Sequence, residues 1–357
     1  MEFYGKVGRV AEAMRAVVID GPGSARVEAA EVPVPGLDEV VVDVHRVGIC
    51  GTDAELFSGE QPYFAQGKSR FPLRPGHEWC GTVSAVGGGV ENGWLNQRVT
   101  GDTMLGCGAC ARCAAGHWHV CADRHEIGIM GWPGALAEKL LVPASALHRL
   151  PDTVDDTAGA LVEPGGNAYR AVAAANPEPG RRILVIGPGT IGLLAVAFAT
   201  AAGADVHVLA QDDTRRELAA ALGAAGHWTP TRAPGLPESP GMPGRHAYDA
   251  VIDCTNDHAV PGQALSYARP AGRVVYIGVS ARPSLIDTRD LVLSDVTAVG
   301  ILAASAGLAP AIAHYADGRV TPSLLATTTA GLGDAPDALA GRISPGQGTK
   351  ILIDPRL

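Results

Sequence analysis

The chain has 357 residues, 46% hydrophobic and 18% charged, with 46 glycines and 26 prolines. At roughly 100–200 residues per domain this is room for about two cores, and the composition excludes disorder, collagen and coiled coil. With 28 basic against 37 acidic residues the net charge is -9, the wrong sign for a surface that tracks phosphates, so no nucleic-acid partner is expected.

Residues 1–13 carry Glu2, Lys6, Arg9 and Glu12 and no apolar stretch of signal-peptide length. They are expected to be a mobile extension or a start-site artefact ahead of a first strand at Met14, and the setting is expected to be cytoplasmic. No run reaches the about 18–20 apolar residues of a membrane span; the longest candidate, Ile183 to Ala204, is broken by Gly187, Pro188, Gly189 and Gly192. No membrane partner is expected.

Val40-Val41-Val42-Asp43-Val44 predicts a strand that runs into Gly48-Ile49-Cys50-Gly51-Thr52-Asp53. A long loop from Phe57 to Pro75 then ends in Gly76-His77-Glu78. Thiolate, imidazole and carboxylate together suit a catalytic Zn2+ that keeps one position open, although each residue alone has an ordinary structural reading. Cys107, Cys110, Cys113 and Cys121 follow with the spacing C-x2-C-x2-C-x7-C, which lets one loop wrap four thiolates around a second, structural Zn2+; disulfides are the alternative. His117 and His119 in that loop are expected at the surface, because four sulfurs already complete the metal. Cys80 and Cys254 lie in strand-like runs and are expected to be buried thiols.

After the turn at Pro177 to Gly180, the apolar run Ile183-Leu184-Val185-Ile186 enters Gly187-Pro188-Gly189-Thr190-Ile191-Gly192 and an Ala-rich helix to about Ala202. Strand, G-x-G-x-x-G and helix in that order predict a dinucleotide site: Gly187 for the tight turn, Gly189 for close approach to a pyrophosphate, Gly192 for helix packing, and the helix N-terminus for the anion. A strand from Asp205 to Ala210 should end at the residue that reads the ribose. That position is Ala210, followed by Gln211, Asp212, Asp213 and then Arg215-Arg216. The aspartates would repel a 2'-phosphate and the arginines could accept one, so the choice between NAD and NADP stays open with a lean to NAD. Strands at Ala250 to Asp253 and Val274 to Ile277 continue an α/β alternation to about Ile301. Thr229 to Arg245, rich in proline and glycine, reads as a surface loop.

With GICGTD at 48–53, GHE at 76–78, the cysteine lobe at 107–121, VEP at 162–164 and GPGTIG at 187–192, the chain resembles the zinc-dependent medium-chain dehydrogenase/reductases, in the polyol, glucose and threonine dehydrogenase-like branch. The resemblance implies an α/β fold. Residues 14–163 and 305–357 would form a GroES-like, partly open β-barrel catalytic domain, and 164–304 a Rossmann domain with a doubly wound parallel sheet. It makes Cys50 and His77 ligands of the catalytic zinc, completed by Glu163 or, in the polyol branch, Glu78. Asp53 would orient the histidine and Thr52 would take the substrate proton. Glu55 stands where many relatives have a relay histidine, which favours a sugar or polyol substrate; alternatively it is a solvated helix residue. Gly165-Gly166-Asn167 departs from the bulkier residues expected and could leave space beside the zinc or make the crossover more mobile. The implied activity is hydride transfer between NAD(P) and a secondary alcohol or ketone: a polyol, sugar or cyclitol, or else an amino alcohol or a simple or specialised alcohol. Two other readings are a zinc-free reductase, against which both metal sets argue, and a non-catalytic nucleotide-binding protein, which a broken ligand set would mark. A homodimer or homotetramer is implied, with pairing in the region Leu291 to Ile301. Phe57, Tyr63, Phe64, Met104, Met130 and Trp132 are candidates either for lining the substrate pocket or for ordinary packing.

Overall fold

The computed structural model describes residues 12–229 and 244–357; residues 1–11 of the expected extension and 230–243 of the expected surface loop lie outside the described residues. Two β-rich and α/β halves are visible, each with its own sheet and apolar core.

The first half is organised by the strand Glu39–Gly48, whose valines are the β-branched residues that fill a pleated, buried surface. It is longer than the five-residue run that predicts it. On one side it pairs antiparallel with Glu78–Val86, and Lys139–Pro143 also pairs with it. Arg98–Gly101 and Leu147–Arg149 extend the sheet outward from Glu78–Val86. On the other side the last strand of the chain, Ile351–Asp354, pairs antiparallel and carries Thr328–Gly331 beyond it. The C-terminal segment therefore shares a sheet with the N-terminal half. Val40, Val42, Val47, Trp79, Val83 and Leu140 have no exposed surface and form the core beneath. Trp79→Ala would cost about 3–5 kcal/mol as a buried large-to-small change.

The second half is a six-stranded, all-parallel sheet in the order Gly226–Trp228, Asp205–Leu209, Arg182–Ile186, Tyr248–Asp253, Ala268–Tyr276 and Thr297–Gly300. The order reverses beside Arg182–Ile186, the first strand, which is where such sheets bind ligands. The strand expected at Val274 begins earlier, at Ala268, although Pro270, Ala271 and Gly272 read as a turn and Ala271 has φ 59. The helix Val162–Ala175 crosses between halves and packs Ala168, Ala171 and Val172 into the same core as Leu193 and Phe198 of the helix Thr190–Ala201. Its glycines do not leave space: a Cβ at Gly165 would stand 2.0 Å from the Tyr315 hydroxyl, and one at Gly166 3.0 Å from Ala304 Cβ. Tyr315 holds that position by donating to the Leu161 carbonyl at 3.0 Å. The Gly165-Gly166 pair is thus a close-packing feature, correcting the expectation of added room. No helix among the described residues is long and apolar enough to cross a membrane.

Candidate metal and nucleotide sites

Cys50 caps the helix Gly51–Ser58 from an extended conformation, φ -102 and ψ 161. Its own N–H donates to Asp53 Oδ2 at 2.9 Å, so the first turn folds the carboxylate back beneath the thiol. The other oxygen, Oδ1, accepts the Gly76 N–H at 3.1 Å and lies 3.4 Å from His77 Nδ1. Asp53 thus ties the helix to the segment that carries His77. Burial opposes its charge, but the adjacent His77 and the two N–H donors outweigh that and hold its pKa below the usual value. Burial likewise disfavours a charged His77, yet Asp53 and Cys50 raise its pKa well above the ordinary imidazole value.

Glu78 begins the strand opposite Gly48, and a Cβ at Gly48 would lie 2.2 Å from Glu78 Oε2, so the carboxylate folds against Gly48 and a side chain there would displace it. Ligand atoms of Cys50, His77 and Glu78 all lie within 4.8 Å of one another. Glu78 Oε2 is buried with no hydrogen-bond partner. An orphaned carboxylate oxygen beside a thiol and an imidazole is a donor set that fits Zn2+. Its other oxygen accepts from Lys350 Nζ at 2.8 Å, and the same ammonium donates to the Ile49 carbonyl at 3.0 Å. Lys350 is 3% exposed and belongs to no motif the sequence reading singled out. Burial works against its charge, but Glu78 and then Cys50 raise its pKa.

Glu163 is buried but is not among the three groups gathered within ligand reach of one another. Its Oε1 accepts from Asn167 Nδ2 at 2.9 Å. Burial first, and Glu78 second, push its pKa up to about 7. Thr52 is half-buried on the helix that follows Cys50. Glu55, half-buried one turn on, has its pKa raised by burial and by Glu60.

The four sulfurs of Cys107, Cys110, Cys113 and Cys121 also lie within 4.8 Å of one another, with Cys110 and Cys121 3.7 Å apart and no disulfide formed. Hydrogen bonds from Cys113 lower the Cys110 pKa to about 6, which favours its thiolate form. Neither histidine of the lobe belongs to this set. His117 is exposed as expected; His119 is instead buried, its Nδ1 without a partner. Cys80 is buried and Cys254 half-buried, and burial pushes both thiols up.

At the nucleotide motif Gly187 has φ 91, and a Cβ on Gly192 would stand 2.0 Å from the Gly187 carbonyl. Gly189 is different: its Cβ position meets open space at the helix N-terminus, a backbone cradle left clear for a phosphate. Pro188 completes the turn, and Ile191 packs on the core. Thr190 Oγ1 lies 3.0 Å from Thr349 Oγ1. Ala210 is buried and Gln211 exposed beyond the second strand. Asp212 caps Thr214 at 2.9 Å, Asp213 pairs with Arg216 at 2.6 Å, and Arg215 donates to the Gln347 carbonyl at 2.9 Å.

Of the candidate lining residues, Phe64 stacks on Phe71 with centroids 4.4 Å apart, and Tyr63 donates to Glu126 at 3.0 Å. Phe57 packs on the barrel core and Met104 is buried. Met130 and Trp132 line a cleft.

Residues 36–152 match the alcohol dehydrogenase GroES-like domain, and residues 190–316 match the zinc-binding dehydrogenase domain. An L-threonine 3-dehydrogenase of Pyrococcus horikoshii is 32% identical over 286 residues, 80% of this chain and 81% of that protein. A Sinorhizobium meliloti 1021 protein described as a zinc-binding dehydrogenase, solved bound to NADP, superposes with a TM-score of 0.87 at 30% identity, covering 96% of this chain and all of that one. A short chain alcohol dehydrogenase of Escherichia coli CFT073 complexed with NADH gives 0.85 at 25% identity, covering 96% and 99%. The GroES-like and zinc-binding dehydrogenase matches, with a relative 32% identical over 80% of the chain, show that the chain belongs to the zinc-binding, NAD(P)-dependent alcohol dehydrogenase family.

Proposed function

We propose that the protein transfers hydride between NAD(P) and a secondary alcohol flanked by polar groups, a polyol, sugar or cyclitol. The observation that carries this is the convergence of Cys50, His77 and Glu78 within 4.8 Å, next to the helix bearing Thr52. When bound, zinc supplies Lewis acidity at the substrate oxygen and the nicotinamide supplies the hydride acceptor. Cys50 and His77 hold that metal, with Glu78 or Glu163 as the further protein ligand. Thr52 accepts the hydroxyl proton at its side-chain oxygen and passes it outward, with Glu55 one turn away on the same helix face. Asp53 fixes the His77 ring. Cys107, Cys110, Cys113 and Cys121 hold a structural zinc and shape their lobe.

Residues 14–163 and 305–357 serve as the catalytic unit and 164–304 as the nucleotide-binding unit. Ala210 offers no carboxylate to the ribose, but Arg216 is already neutralised by Asp213 and Arg215 is turned to the Gln347 carbonyl. That arrangement supports NAD over NADP. An amino alcohol is the second reading, supported by the threonine dehydrogenase at 32% identity. The exposed Val292 and Leu293, 78% and 84% accessible beside the edge strand Thr297–Gly300, support pairing of two copies into a dimer or tetramer. Seven unpaired cysteines fit a reducing, cytoplasmic setting.

Zinc-loaded protein should reduce NAD in the presence of one member of a panel of aldoses, polyols, cyclitols and amino alcohols. Thr52→Ala should keep both zinc ions and lose turnover by about 10²–10⁴-fold. Normal turnover in that variant would remove Thr52 from the proton path, and silence across the panel with both metals present would refute the substrate class.

A further inference from the structure

A cleft of about 480 Å3 opens on the barrel between the segment 68–74 and the segment 128–133. None of its lining residues is a member of either cluster. Its charged wall carries Lys68, Arg70 and Arg74 against a single carboxylate, Glu28, which is itself paired with Arg26 at 2.7 Å. Arg74 Nε is buried with no hydrogen-bond partner. A buried guanidinium donor without an acceptor is costly, and burial accordingly draws the Arg74 pKa below its usual value, with Glu28 only partly opposing. Met130 and Trp132 form the facing apolar wall. Trp132 is fixed by donating to the Leu141 carbonyl at 2.8 Å. The two walls are joined by Ser69 Oγ to the Ile129 carbonyl at 2.6 Å and by the Gly134 N–H to the Arg74 carbonyl at 2.9 Å, so the cleft is held open in advance of a ligand.

We infer that this cleft binds a small organic anion, its carboxylate or phosphate seated on Arg74 and its apolar body laid against Trp132 and Met130. Guanidinium suits either anion because its N–H groups form a fork that a two-oxygen face accepts. Glu28 sets the sign of the site: it is paired to Arg26 and offsets Arg74 only in part, so three cations face one shared carboxylate.

The test is calorimetric titration of zinc-loaded protein with phenyl phosphate and with benzoate, in saturating NADH so that the nucleotide cradle is occupied. Inorganic phosphate, acetate and benzamide serve as probes lacking the apolar body or the charge. At least one aryl anion should bind about tenfold or more tightly than all three of these, and the anion that does so names the head group. Arg74→Gln should weaken that binding by about tenfold or more while retaining two zinc ions per chain, and Arg70→Gln should weaken it less. Glu28→Gln should tighten it. Equal binding of aryl anion and inorganic phosphate, or unchanged affinity in Arg74→Gln, would overturn the inference; turnover at the zinc site would be untouched by that failure.

Discussion

Lys350→Met isolates the least expected contact in the metal site. The ammonium sits 2.8 Å from Glu78 Oε1, with Lys350 3% and Glu78 1% exposed. At an effective dielectric of about 20, opposite charges at that spacing attract by about 6 kcal/mol, against which the desolvation of both groups has already been spent. Removing one partner leaves the other charge buried and alone, so metal-free Lys350→Met should lose about 3–5 kcal/mol of unfolding free energy. Glu78→Gln should cost less, and the double variant Glu78→Gln/Lys350→Met should recover most of the loss, giving a coupling well above 1 kcal/mol. With Glu78 in the proposed ligand set, zinc would supply a replacement cation, so the penalty of the single lysine variant should shrink when metal is loaded. Urea unfolding followed by tryptophan fluorescence, with and without zinc, reads all four combinations. A metal-free Lys350→Met that loses less than about 1 kcal/mol, or a double variant no more stable than the single, would refute the reasoning.

Cys113→Ser should lower bound zinc from two to one per chain by metal analysis and destabilise the lobe, while leaving the metal at Cys50 in place. The two motif glycines should separate: Gly192→Ala, whose Cβ would press within 2.0 Å of the Gly187 carbonyl, should lower the melting temperature. Gly189→Ala, facing open space, should leave the melting temperature alone and weaken NADH binding in a fluorescence titration. Asp156 Oδ2 lies 3.2 Å from His45 Nδ1 and Oδ1 accepts from Arg98 at 2.9 Å, and those partners, led by His45, hold its pKa far below the usual carboxylate value. A depressed folded pKa gives stability that is present above the unfolded value, about 4, and is lost as pH falls below it. Asp156→Asn should therefore destabilise at pH 7 and converge with the parent as the pH falls below about 4, as seen in unfolding curves across pH.

The parts legible in the sequence were those whose chemistry is local. Cys50 to Asp53 is one helical turn, Gly187 to Gly192 one loop, and the four-cysteine lobe a single excursion of chain, so spacing alone brings their atoms together. Glu78 was readable because it adjoins His77. Lys350 was not: 272 positions separate it from Glu78, and an isolated lysine before Ile351 carries no pattern. It reaches the site only because Ile351–Asp354 pairs with Glu39–Gly48. His119 was expected at the surface but is buried, with the rings of His117 and Trp118 beside it and the distant Arg170 among the charges acting on it. The close packing at Gly165 depends on Tyr315, again a long-range partner.

The short stretch from Gln347 to Lys350 touches both halves of the reaction. Arg215 holds the Gln347 carbonyl, Thr190 at the phosphate loop meets Thr349, and Lys350 grips Glu78. Its slack is removed by the Thr349 and Lys350 N–H groups, both bonded to the Leu325 carbonyl, and by Gly348, whose Cβ position is filled by that same oxygen at 2.2 Å. Four residues reach at most about 14 Å when extended. So short a segment, pinned at the Leu325 carbonyl, keeps the contact to Thr190 and the contact to Glu78 within two adjacent residues. A side chain at Gly348 should therefore disturb the Thr349 and Lys350 contacts together.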